Sequence, residues 1–313
     1  MIATNEILNR RHAVIALGSG GARGLAHLGA MQVIRESELI IERIVGTSIG
    51  SLVGALSAIN SDPHQVREQV TKYLTSEKFQ KRMGSLFDAS PPKVPGQDGG
   101  FTAWYSRLKS LLWSHHLIHR IIRRPGILSA ALIVDTINEL VPAMDILECR
   151  TPLTIVALDL LSGERVELER GPLREAILAS TAIPGIFPPV PWEGKLLCDL
   201  GVIESLPTRT ARKYCSDLLI GVDVAPDLVP LNRCSTALET LLRVDELSER
   251  YQREYAKSIA DVVIRPKVGC FQWFDFANPE PMMDAGLIAA RELLCPATFQ
   301  KPNDLYRIRI NSK

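Results

Sequence analysis

Two glycine-flanked stretches carry residues that could do chemistry. Gly46-Thr47-Ser48-Ile49-Gly50 is a G-x-S-x-G pentapeptide, with the apolar run RIVG before it and a small-residue segment (Gly50, Ser51, Gly54, Ala55, Ala58) after it. Between a strand and a helix, this spacing forces the serine onto a sharply turning backbone so that Oγ projects from the sheet edge. Glycines flank it because side chains there would collide across the turn. The helix that follows adds a field favouring negative charge on Oγ and on a developing oxyanion. Ser48 is therefore the candidate nucleophile. The second stretch, Gly18-Ser19-Gly20-Gly21-Ala22-Arg23-Gly24, follows the apolar run HAVIAL and opens a helical pattern. Its backbone N–H groups can converge near a helix N-terminus and hold an anion. A nucleotide fingerprint fits poorly: arginine occupies position 23 where the third glycine would stand, and a P-loop's Gly-Lys-Ser/Thr is absent. The acidic ribose ligand would have to be Glu42, which precedes the second strand instead of ending it.

A serine hydroxyl is a weak nucleophile without a base beside it. The usual hydrolase order is serine, acid, histidine. The six histidines are His12, His27, His64, His115, His116 and His119, and none follows residue 119. A triad would need its acid and histidine inside an irregular stretch, and His27 lies on the helix after the glycine loop, where packing is its expected job. The sequence thus favours a serine–aspartate dyad. Asp159, Asp199 and Asp223 each end an apolar run, and the residues alone do not choose among them.

These groups need a scaffold, and the chain supplies one. Short β-branched runs, HAVIAL (12–17), RIVG (43–46), LTIVALDL (153–160) and LLIGVDVA (218–225), alternate with helical patterns, the longest at about 236–260. Such alternation predicts βα units around a mostly parallel sheet. PPKVPGQDGG (91–100) breaks the pattern with turn chemistry. After it, no acidic residue occurs from Gly99 to Val134. On a helix, Lys109, His116, His119, Arg120, Arg123 and Arg124 share one arc, with leucines and isoleucines on most of the rest. A solvated face of an inserted helical cap is the plain reading; a membrane-surface element over about 101–125 is the sharper one.

Five collinear blocks, GSGGARGLAHLGA (18–30), GTSIG (46–50), LDLLSGE (158–164), ASTAIPGIFPPV (179–190) and DLGVIESLP (199–207), resemble the bacterial patatin-like phospholipases, and GVDVAPD (221–227) fits as well. The resemblance implies a three-layer α/β/α fold with a mostly parallel central sheet, as a single domain over 12–300 with a helical cap at about 76–134. It implies Ser48 as nucleophile, Asp199 as its partner, and an oxyanion hole from the Gly20 and Gly21 N–H groups with Arg23 bracing the loop. The implied reaction is hydrolysis of phospholipid or lysophospholipid acyl esters; a catalytically weak lipid-binding protein and an acyltransferase are the alternatives. Two departures stand out. Ser19 occupies the place of a glycine, and Leu200 replaces the glycine after the aspartate, which would strain leucine if that position required positive φ. Pro184 to Pro189 and the 101–134 cap are the expected lining of an acyl trough, although a rigid packed turn is the plainer role for Phe187 and the prolines.

Composition excludes other classes. With 46% hydrophobic and 23% charged residues the chain is neither disordered nor fibrous. Thirty-six Lys and Arg against 35 Asp and Glu leave no basic field for nucleic acid. The six cysteines contain no C-x-x-C pair, so the expectation is reduced thiols, with no metal and no cofactor. Polar residues at the N-terminus and glycines and serines through Ile44–Ser61 argue against a leader or a membrane span. A cytoplasmic protein is expected, with peripheral contact to the inner membrane face as the variant.

Overall fold

The computed structural model describes residues 11–87, 125–126, 128–215, 217–272 and 274–294. In chain order the elements are β1 (His12–Leu17), α1 (Ala26–Glu36), β2 (Ile40–Thr47), α2 (Ile49–Ile59), α3 (Pro63–Leu74), α4 (Glu77–Phe87), α5 (Ala131–Leu140), β3 (Leu153–Asp159) and β4 (Arg165–Leu168). They continue as α6 (Leu173–Thr181), β5 (Val190–Trp192), β6 (Lys195–Cys198), α7 (Thr208–Arg212), β7 (Leu218–Val222), α8 (Ala237–Ile259), β8 (Val262–Ile264) and α9 (Glu280–Leu294). The linker at 91–100 and the basic stretch 101–124 lie outside the described residues. Of the expected cap, α4 and the start of α5 are described, and both are helical.

The strands form one sheet in which β3, β2, β1, β7 and β8 are parallel neighbours. Every β1 residue after His12 is buried, which suits a strand covered on both faces. Alternation then divides its side chains between two cores. Ala13, Ile15 and Leu17 pack with residues of α1, α2, α6 and α9, whereas Val14 and Ala16 join Val45, Val156, Leu219 and the α7 residue Ala211. The fold is a three-layer α/β/α sandwich. Helix starts follow local chemistry: Asp62 accepts from the His64 and Gln65 N–H groups ahead of Pro63 at the start of α3, and Thr236 and Glu239 form a capping box for α8.

One strand arrangement positions the site. β4 lies antiparallel along Ile155–Leu158 on one edge of β3. The other edge is shared. β2 runs parallel to β3 from Ile44↔Leu153 to Thr47↔Val156, and β6 runs antiparallel from above, pairing Leu197 with Asp159 and Cys198 with Leu158. The Asp159 N–H points to the β4 side, toward the Glu164 carbonyl, and the Leu160 N–H points to the β6 side, toward the Leu196 carbonyl. β2 and β6 therefore approach each other head-on along one edge, and the next residue of each, Ser48 and Asp199, arrives level with Ala157. Among the described residues, no helix is long and apolar enough to cross a membrane.

Candidate active site

Ser48 caps α2 with φ 56° and ψ −127°, a left-handed conformation unusual for a side chain with a Cβ. Close backbone crossings hold it there. A Cβ on Gly46 would lie 2.4 Å from the Gly50 carbonyl oxygen, and one on Gly50 would lie 2.2 Å from that of Leu17. The corner is also bonded in place. Ser180 Oγ accepts the Ser48 N–H at 2.9 Å and donates to the Val156 carbonyl at 2.7 Å, while Ser51 Oγ donates to the Ser48 carbonyl at 2.6 Å.

Asp199 is 3% exposed and faces the Ser48 hydroxyl, whose proximity favours the charged carboxylate. Its Oδ1 accepts from the Gly201 N–H at 2.7 Å, and its own N–H donates to the Ala182 carbonyl at 2.9 Å. Burial raises the carboxyl from 3.8 to about 6, against the opposing effect of the Ser48 hydroxyl and the Gly201 N–H. Such a group is ionised at neutral pH yet basic enough to take a proton. The other two aspartates are committed elsewhere. Asp159 is held down to about 2, first by the Leu196 N–H and the Ser162 hydroxyl, as the anchor of the turn after β3. Asp223 accepts from the Ala225 N–H and lies 3.5 Å from Arg265 and 4.0 Å from Arg253.

The glycine loop stands beside Ser48 because β1 and β2 are neighbours. Gly20 stands at φ 166° and ψ 6°, Gly21 turns into the left-handed region at φ 59°, and a 3-10 turn follows over Gly21–Leu25. The N–H groups of Gly20 and Gly21 donate to no acceptor among the described residues. They are free to meet an oxyanion. Arg23 is 3% exposed; its Nε donates to the Phe271 carbonyl at 2.7 Å, tying the loop to the 268–274 region, and burial lowers its guanidinium to about 10. His27 contributes more than packing. Its Nε2 bonds the Gly18 carbonyl at 2.8 Å, and complete burial lowers its pKa to about 4, so the ring is neutral and donates from Nε2.

A cavity of about 410 Å³ opens beside Ser48, Asp199 and the glycine loop. Leu52 and Leu56 of α2, Val70 and Leu74 of α3, and Ile133 and Ile137 of α5 line much of it. Ile186 and Phe187 line it too, so Phe187 faces the cavity and is not simply a packed turn residue, whereas the neighbouring prolines do not line it.

The family model of the patatin-like phospholipases matches residues 15–212, well over half of the chain. The chain belongs to the patatin-like phospholipase family. It is 34% identical over 212 residues to an uncharacterized NTE family protein of Mycobacterium tuberculosis, covering 67% of this chain and 48% of the relative. A second such protein from that organism is 27% identical over 322 residues, covering 94% of this chain and 47% of the relative. The chain thus spans about half the length of these relatives. Among solved structures, VipD from Legionella pneumophila aligns with 91% of this chain and 66% of its own at a TM-score of 0.46 and 14% identity.

Within this patatin-like chain the two departures cost little. The positive-φ residues other than glycine are Ser48 and Glu193 among those described, so neither Ser19 nor Leu200 is strained. Leu200 opens a 3-10 turn and is 3% exposed in the core shared with Val14, Ala16 and Val45. Ser19 fits against Gly201, whose missing Cβ would come within 2.6 Å of the Ser19 Cβ. Sequence reasoning missed Ser180, an ordinary small residue near a helix end. It also missed the contribution of α3, whose Val66, Val70 and Leu74 read as a core stripe.

Proposed function

We propose that this protein hydrolyses acyl esters of phospholipids or lysophospholipids through an acyl-enzyme on Ser48, with Asp199 as its general base. The observation that carries the reading is Ser48, on its left-handed corner, sharing one cavity with a buried carboxylate raised to about 6. Family membership and a relative named Lysophospholipase NTE1 in Scheffersomyces stipitis, 24% identical over 92% of this chain and 18% of its own length, support the lipid substrate. The apolar cavity beside Ser48 supports an acyl chain.

In the first step Asp199 takes the hydroxyl proton as Oγ adds to the ester carbonyl, and the oxyanion is met by the Gly20 and Gly21 N–H groups. One such donor is worth about 2.7–4 kcal/mol. The tetrahedral species collapses, Asp199 passes the proton to the leaving alkoxide, and the alcohol departs. Water then adds to the acyl-enzyme with its proton going to Asp199, and the fatty acid leaves as Ser48 recovers its hydrogen. The chemistry needs no metal or cofactor.

The test is hydrolysis of a p-nitrophenyl acyl ester together with labelling by a fluorophosphonate probe and peptide mapping. The label is expected on the Ser48 peptide, and Ser48→Ala is expected to abolish both signals. Activity retained by Ser48→Ala, or a label elsewhere, overturns the mechanism.

A further inference from the structure

The cavity at Ser48 has two unlike walls. The apolar wall comes from α2, α3, α4 and α5, which pack on one face of the sheet. The other comes from the segment after β7 and from α8, which lies on the opposite face beside α7, where Thr208 Oγ1 bonds the Ala256 carbonyl. This second wall presents Arg243, Asp245, Glu246, Glu249, Arg250 and Arg253. Ser48 and the glycine loop sit between the walls, at the ends of the central strands. An ester with its carbonyl carbon at Ser48 has two arms. If the acyl arm lies on the apolar wall, the alcohol arm faces α8.

The charges of this wall are of both signs and mostly spoken for. Arg243 pairs with Glu246 at 2.9 Å. Arg253, with its side chain 3% exposed, lies 3.8 Å from Glu249 and 4.0 Å from Asp223, and donates to the Pro226 carbonyl. Arg250 and Asp245 differ: both are exposed at the cavity, and neither makes an ion pair or hydrogen bond among the described residues. Among the described residues one free cation and one free anion thus remain, on a wall whose other charges are close to balanced. A guanidinium presents a fork that fits phosphate oxygens.

We infer that the α8 wall is a head-group subsite selective for zwitterionic over net-anionic phosphate head groups, with Arg250 meeting the phosphate and Asp245 the ammonium. A head group of net negative charge would find one partner and leave the Asp245 carboxylate unanswered, whereas a zwitterion finds an opposite charge at each end. This inference rests on the ester-hydrolase reading above.

The experiment measures kcat/KM on lysophosphatidylethanolamine and on lysophosphatidylglycerol of one acyl chain, each at low mole fraction in neutral-detergent micelles. A p-nitrophenyl acyl ester serves as the substrate without a head group. The wild type is expected to prefer the ethanolamine lipid. Arg250→Glu is expected to lower kcat/KM for that lipid, relative to the p-nitrophenyl ester, roughly tenfold and mainly through KM. Asp245→Arg is expected to narrow the preference by improving the glycerol lipid. Both positions are exposed, so folding is not at stake. Equal use of the two lipids by the wild type overturns the inference, as does a fall in Arg250→Glu that is the same for lipid and p-nitrophenyl ester. Failure of the wild type to cleave even the p-nitrophenyl ester would instead overturn the hydrolase reading, and this inference with it.

Discussion

Replacing Asp199 with asparagine is expected to raise stability while removing activity. The carboxyl is lifted from 3.8 to about 6 because burial penalises its charged form more than the Ser48 hydroxyl and the Gly201 N–H favour it. An acid whose folded-state pKa lies above its unfolded value stabilises the fold below the unfolded value, and that stability is lost as pH rises through the folded one. The window here runs from about pH 4 to pH 6, and the loss comes to about 3 kcal/mol by neutral pH. Asparagine keeps an oxygen for the Gly201 N–H and an amide beside Ser48 Oγ, and it never ionises. At pH 8, Asp199→Asn is therefore expected to be more stable than the wild type by about 1–3 kcal/mol, with the gap closing as pH falls to about 4. Urea titrations of both proteins at several pH values measure this directly. His27 is common to both, so its own titration cancels from the difference. The same variant is expected to lose ester hydrolysis by roughly 100-fold or more, the usual contribution of a positioned base. A variant less stable than the wild type at pH 8, or a gap independent of pH between 4 and 8, would refute the claim that Asp199 is a desolvated carboxylate.

Other expectations follow from the same contacts. The wild-type kcat/KM for a p-nitrophenyl ester is expected to rise with pH through about 6 and stay flat above, since Asp199 must be ionised to act; a profile flat from pH 5 to 8 would count against it. Ser180→Ala leaves the Ser48 N–H without its acceptor, which is expected to cost about 1–3 kcal/mol in a urea titration and to lower kcat as the corner relaxes. His27, lowered to about 4, contributes stability that is present above about 6.5 and lost as pH falls toward 4. His27→Gln, which retains an N–H donor for the Gly18 carbonyl, is expected to show a shallower acid decline than the wild type.

The strands and the serine corner were legible in the sequence because local chemistry writes them. HAVIAL is all of β1, and LTIVALDL overlaps β3 almost completely. The steric demands at Gly46 and Gly50 are local too, so the pentapeptide spells its own geometry. Asp199 was not legible from residue types alone. It was equal to Asp159 and Asp223 until the family resemblance separated them, because the choice depends on where β6 pairs, and a four-residue strand pairing across a long sequence gap leaves no periodic trace. The two-walled cavity was hidden for a related reason. Val70 and Leu74 have the spacing of any core stripe, and nothing in the helical pattern at about 236–260 says that the charges of α8 line the cavity at Ser48.

The shared edge of β3 works as a ruler for the two reacting groups. Ser48 and Asp199 are far apart along the chain, yet each is indexed on the same rung of a third segment and not on the other's neighbours. Chain inserted, trimmed or exchanged between α4 and α5 would leave that rung untouched, so the sequence there is free to diversify toward new surfaces or substrates. A slip of one residue between β2 and β3 would instead part the pair at once, however intact the rest of the protein remained.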